Sequence, residues 1–150
     1  MRRDHVTLDT RHTGAGDDRV PTVRVTVDEP TDRLDERLLT ADGERLEADG
    51  IDAAFRFRTL VDAEDAEGVF SLSNRVTGEF VLEANADARA LLQLVDAACT
   101  DDANGGGRYR VVVRRDGDQF AAYQKRTLLV YDREGSLLRG HSLIPSGVEL

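Results

Sequence analysis

The hydrophobic positions of this chain recur mostly at every second residue, the period of a strand with one buried face. Residues 3–9 predict a short strand, with Val6 and Leu8 on one side and Thr7 and Asp9 on the other. A polar, glycine-bearing stretch at 11–19 reads as a loop. Pro21 then opens the clearest strand. Val23, Val25 and Val27 face in, Arg24 and Thr26 face out, and Pro30 ends it. Ala53, Phe55 and Phe57 alternate with Arg56 and Arg58 in another strand, and an acidic turn covers 62–68. Residues 69–74 and 79–84 predict a hairpin closed by 75–78, with Phe70 and Leu72 sharing a face with Phe80 and Leu82.

The period then changes to 3.6. Asn85 is a good N-cap for a helix over 86–99, with an apolar stripe of Ala88, Leu91, Leu92, Val95 and Ala98 or Cys99. Residues 100–107 form a flexible connector. Two further hairpins follow. Asp116-Gly117 joins 108–115 to 118–124, setting Val113 opposite Phe120, Val111 opposite Ala122 and Arg110 opposite Tyr123. The turn 133–135 joins 126–132 to 137–144. Residues 31–51 read two ways. Leu34, Leu38 and Leu39 suit a short helix capped by Thr31 or Asp32, yet Asp42-Gly43 and Asp49-Gly50 interrupt it.

Nine strands and one firm helix make an α+β fold. The expectation is a mainly antiparallel sheet of hairpins with the helix packed on one face. The alternative is a partly closed β-barrel or sandwich with a helical plug. The 150 residues suffice for a single domain that buries roughly 68–70% of its unfolded surface. With five Phe, three Tyr and no Trp, its core must be mostly Val, Leu and Ala.

Charge changes the picture. There are 29 acids against 19 Arg and a single lysine, Lys125, for a net charge of -9. Such a surface repels itself unless the solvent screens it, and at 1 M salt the Debye length is ~3 Å. A salt-adapted cytoplasm therefore fits; a GC-rich genome favouring Arg codons is the competing explanation. No apolar run approaches a membrane span, and Met1–His5 is not followed by a signal-peptide core, which predicts a soluble, cytoplasmic protein with no membrane partner. The lone Cys99 excludes an internal disulfide and multi-cysteine metal sites.

Catalytic chemistry is sparse. The glycines at 105–107 lack phosphate-loop spacing. Gly140-His141-Ser142 begins like a nucleophile elbow, but Ile144 stands where the second glycine belongs. His5, His12 and His141 are scattered, and the acids at 62–67 lack calcium-loop spacing. No catalytic, metal or cofactor residue is assigned. Charge is nevertheless uneven: residues 1–104 carry -12, residues 105–141 carry +4 and the last nine carry -1. Arg108, Arg110, Arg114, Tyr123, Lys125 and Arg126 thus form a candidate surface for anions or nucleic acid. The bland alternative is that these arginines pair with acids of the N-terminal half. The tail from Ser142 to Leu150 either packs over a sheet edge or serves as a recognition or dimer contact.

Several stretches together resemble an uncharacterised family of small haloarchaeal proteins, a domain of unknown function. They are MRRD at the start, IDAAFRF at 51–57, SNRVTGEFVLEANAD at 73–87, RYRVVV at 108–113 and KRTLLVYDREGSLLRGHSLIPSGVEL at 125–150. The resemblance implies a halophilic archaeal cytoplasm and supplies no activity, cofactor or partner. Three functions stay open. The first is a non-enzymatic binding or accessory protein, acting on a protein partner or as a homodimer. The second is a nucleic-acid-associated protein, and the third an enzyme without a recognisable motif.

Overall fold

The computed structural model describes residues 6–12, 20–28, 44, 46–100, 108–115 and 117–144. The short helix expected around Leu34, the connector 101–107 and the tail 145–150 lie outside them, as does the side chain of Cys99. The described chain runs β1 (Val6–Arg11), β2 (Thr22–Val27), a 3-10 turn (Ala48–Gly50), β3 (Ile51–Phe57), β4 (Glu67–Asn74), β5 (Phe80–Asp87) and α1 (Ala88–Thr100). Then come β6 (Tyr109–Arg115), β7 (Asp118–Lys125), β8 (Leu129–Tyr131) and a second 3-10 turn (Arg139–His141).

The strands form two four-stranded sheets, ordered β1-β2-β6-β7 and β5-β4-β3-β8. Both are mixed. β2 pairs parallel with β6, β3 pairs parallel with β8, and the other neighbours are antiparallel. The α+β class with one main helix holds, and the described strands close no barrel. Most pairings are antiparallel, as expected, and two depart from the hairpin pattern: each parallel pair joins residues some 75–90 positions apart, which no local pattern reports.

Alternation decides which faces are buried. Val23, Val25 and Val27 of β2, Ile51, Phe55 and Phe57 of β3, and Tyr109, Val111 and Val113 of β6 are all essentially inaccessible to solvent. They share one core with the inner sides of β4 and β5 and the apolar face of α1, which lies against β1, β4 and β5. The core is mostly Val, Leu and Ala, as composition requires, with five of the eight aromatics among them. Each large side chain so buried contributes about 1.5–3 kcal/mol.

Four local expectations are corrected. Asn85 does not cap the helix. Ala84 and Ala86 continue the inward alternation of β5, so Asn85 pairs with Val69 inside the sheet. The helix begins at Ala88, and the Asp87 carboxylate accepts the Arg89 N–H at 3.0 Å. On the helix, Leu94 is buried and Leu92 only half-buried. In the β4–β5 hairpin a bulge after Leu72 sets Ser73 opposite Phe80, which turns Phe80 outward at 55% exposure. The last hairpin shrinks to the short β8, since Leu128–Leu143 and Tyr131–Leu137 are isolated bridges around the second 3-10 turn.

The β6–β7 register matters most. Arg115 faces Asp118 and Arg114 faces Gln119, as a two-residue turn with Gly117 at φ 86° dictates. A bulge then shifts the ladder by one, so Val113 faces Ala121, Val111 faces Tyr123 and Tyr109 faces Lys125. From there to the end of β7, every side chain changes face relative to the expected register.

Candidate functional site

That shift divides the six basic-sheet candidates. Tyr123 and Lys125 share the inward face of Val111 and Tyr109 and are 6% and 7% exposed. The Lys125 ammonium donates to the Ala48 carbonyl at 2.6 Å and to the Ile51 carbonyl, so it ties β7 to the 3-10 turn and the start of β3. Burial lowers its pKa; Arg75 adds to the fall, and Asp52 and Asp49 oppose it. Opposite it, the Tyr109 hydroxyl donates to the Thr127 carbonyl at 2.7 Å, and burial pushes the phenol's pKa up. Arg114 donates to the Gly117 carbonyl, inside its own hairpin. Arg110, on the outward side of β6, and Arg126, just past β7, are exposed, and Arg108, just before β6, is half-buried. Next to them, Asp9 takes up Arg24 through two bonds of 3.0 and 2.6 Å, so part of that outer sheet face is already neutralised.

Ser142 has a structural occupation. Its hydroxyl accepts the Val130 N–H at 2.9 Å and donates to the Leu138 carbonyl at 2.8 Å, which clips the 3-10 turn to β8. His141 beside it is exposed. Among the described residues no group of three or more His, Cys, Asp or Glu is placed to hold a metal ion. No described helix is long and apolar enough to cross a membrane.

A concavity lies elsewhere, on the outward face of the second sheet. It is an open trough of about 770 Å³. Register explains its shape. The outward rows across β5, β4, β3 and β8 read Asn85–Val69–Arg56–Tyr131 and Glu83–Ser71–Ala54–Leu129, and a third row reads Phe80–Ser73–Asp52. Val69, Ser71, Ser73 and Ala54 therefore floor the middle strands, while Phe80, Glu83, Arg56 and Tyr131 rise around them. From Ser73 to Val69 the floor runs for about 13 Å along β4. Arg56 donates to the Arg133 carbonyl at 2.8 Å and fixes the turn after β8 against β3. This brings the Arg133 and Glu134 side chains to the rim alongside Arg58. Among the described residues the Arg58 and Arg133 guanidinium groups have no hydrogen bond or ion pair.

A family model matches residues 1–150 in full. The chain belongs to that family, a family of unknown function (DUF5793). Neither the curated proteins nor the solved structures compared with it gave a match. For this DUF5793 chain the site must therefore be argued from its own geometry. Sequence reasoning missed the trough because its parts come from four strands, one of them brought in by a parallel pairing. One signal was present: in IDAAFRF the outward partners of the aromatics are Ala54 and Arg56, a short residue followed by a long cation.

Proposed function

We propose that this chain is a small non-enzymatic binding or accessory protein of a salt-adapted, haloarchaeal-type cytoplasm, working through the trough on its second sheet. One observation carries the reading. In a chain with 29 acids against 20 bases, Arg58 and Arg133 line the trough without an acid partner among the described residues. Such a guanidinium offers a fork of donors suited to a carboxylate or phosphate. The outward ring of Phe80 gives the same trough an apolar face. An anionic ligand with an apolar or aromatic part satisfies both.

The test is a fluorescence titration with anilinonaphthalene sulfonate, an anion with a flat apolar body. The double variant R58A/R133A is expected to bind it at least tenfold more weakly, since a hydrogen bond to a charged group contributes about 1.5–3 kcal/mol. Equal binding by the variant and the parent removes the reading.

A second reading rests on Arg110 and Arg126, exposed and without ion pairs among the described residues, at the first sheet near Arg108. It makes that region a nucleic-acid contact reduced to three of the six candidates. Each phosphate contact lowers log K by about 0.9 per decade of salt, so the contact must be tested at molar KCl. Retention of RNA or DNA on filters under that condition, lost in R110A/R126A, supports it; no retention ends it.

A further inference from the structure

We infer that the ligand of the trough is a free nucleoside phosphate, with its phosphate against Arg56, Arg58 and Arg133 and its base against Phe80; this rests on the trough reading above. Three features of the walls point there. The cations gather at one end, where Arg56 of β3 and Arg58 just past it meet the turn after β8 that carries Arg133, three cations against the single acid Glu134. Phe80 stands at the diagonally opposite corner, two strands away and four residues along. On β-sheet spacings its Cα lies about 16 Å from that of Arg56. Inward-reaching side chains at both corners leave a gap suited to one nucleotide. Between the corners, Ser71 and Ser73 present hydroxyls and Glu83 a carboxylate. A carboxylate accepts only, so it calls for a ligand that also carries donors, as a ribose or an exocyclic amine does. A simple fatty or aromatic acid would leave Glu83 facing apolar surface.

Charge outside the trough sets the size of the ligand. Beyond the cationic end lie Asp62, Glu64, Asp65 and Glu67, all exposed. At the other end, Asp52 is exposed and paired with Arg75 at 2.9 Å, and Glu79 precedes Phe80. A polynucleotide leaving the trough past the cationic end would run its next phosphates into the acids at 62–67. A single phosphate would not. An aromatic ring supplies a stacking face that every base accepts, so the base identity is set weakly.

The experiment displaces bound anilinonaphthalene sulfonate with four probes: AMP, adenosine, inorganic phosphate and an adenylate decamer. AMP is expected to displace it at a concentration at least tenfold below that of adenosine or phosphate. With each variant's own affinity for the fluorophore divided out, R133A and R58A should weaken AMP tenfold or more while leaving adenosine unchanged. F80A should weaken AMP and adenosine alike. Thermal melts check that each variant is folded. AMP no better than inorganic phosphate overturns the base contact. A decamer that competes better than AMP at equal molarity overturns the free nucleotide. A fluorophore that depends on Arg58 and Arg133 yet ignores AMP overturns the nucleotide and leaves the trough standing. A fluorophore that is indifferent to both arginines overturns the trough itself.

Discussion

Lys125 is the only lysine among 20 basic residues, and it occupies a place that arginine fits poorly. Its ammonium is a compact charge at the end of a flexible stem, and it meets two converging carbonyls in a 7% exposed position. A planar guanidinium would bring five donors to those two acceptors. K125R is expected to destabilise the fold by about 1–3 kcal/mol, measured by urea unfolding, because buried donors would go unmet. The lowered pKa has a definite sign. Between the folded value and the unfolded value near 10.5, the unfolded chain holds more protons, so stability rises with pH across that alkaline window. Subtracting the unfolding free energy of K125M from that of the parent at pH 8 to 10.5 should give a difference that grows with pH; a flat difference refutes the assignment. Gly68 makes a second constraint, at the other end of β3. A Cβ there would collide with the Arg56 carbonyl oxygen and approach the Phe55 ring at 2.6 Å. G68A should therefore cost about 1–3 kcal/mol, visible as a lower Tm, because the collision involves backbone that cannot step aside.

Among the elements, Ser142 replaces strand pairing that the sequence leads one to expect. Residues 137–144 alternate well enough to predict a strand, yet Gly140 and the preceding turn let the chain curl into a 3-10 turn held by its own backbone hydrogen bonds and by the Ser142 hydroxyl. S142A leaves the buried Val130 N–H without its acceptor, and a loss of about 1–3 kcal/mol is expected in the same unfolding assay. How much of the elements was legible follows from this kind of competition. Strand β2 and the inward set of β3 were plain, because alternation over 21–27 and 53–57 has no rival pattern. The start of α1 was not, because Asn85 fits either a cap or an outward strand position, and pairing with β4 decides. The β6–β7 turn was read correctly at its tip and wrongly beyond it, since one extra residue in β7 leaves no mark in the composition. That single bulge moved Tyr123 and Lys125 from the expected surface into the core.

At the scale of the molecule, a net charge of -9 on 150 residues sets the response to salt. Self-repulsion acts over a Debye length of ~10 Å at 0.1 M and ~3 Å at 1 M. Tm should rise from 0.1 M to multimolar KCl, measured by circular dichroism; equal stability at both ends would mean that the acidity does no such work. Composition alone predicts this response. It did not make the trough legible, because Arg56, Phe80, Glu83 and Arg133 meet only through sheet order, and the six basic-sheet candidates drawn from the +4 segment pointed to the other sheet. The parallel pairings that hide the site also govern how the chain reaches its fold. β1 and β2 can meet early, but β2 waits more than 80 residues for β6, and β3 waits about as long for β8. Closing such distant contacts comes late and slowly. Until then the valine row of β2 has an open edge, so a chain still being synthesised is sticky over that interval and depends on its acidic surface to stay apart from its neighbours.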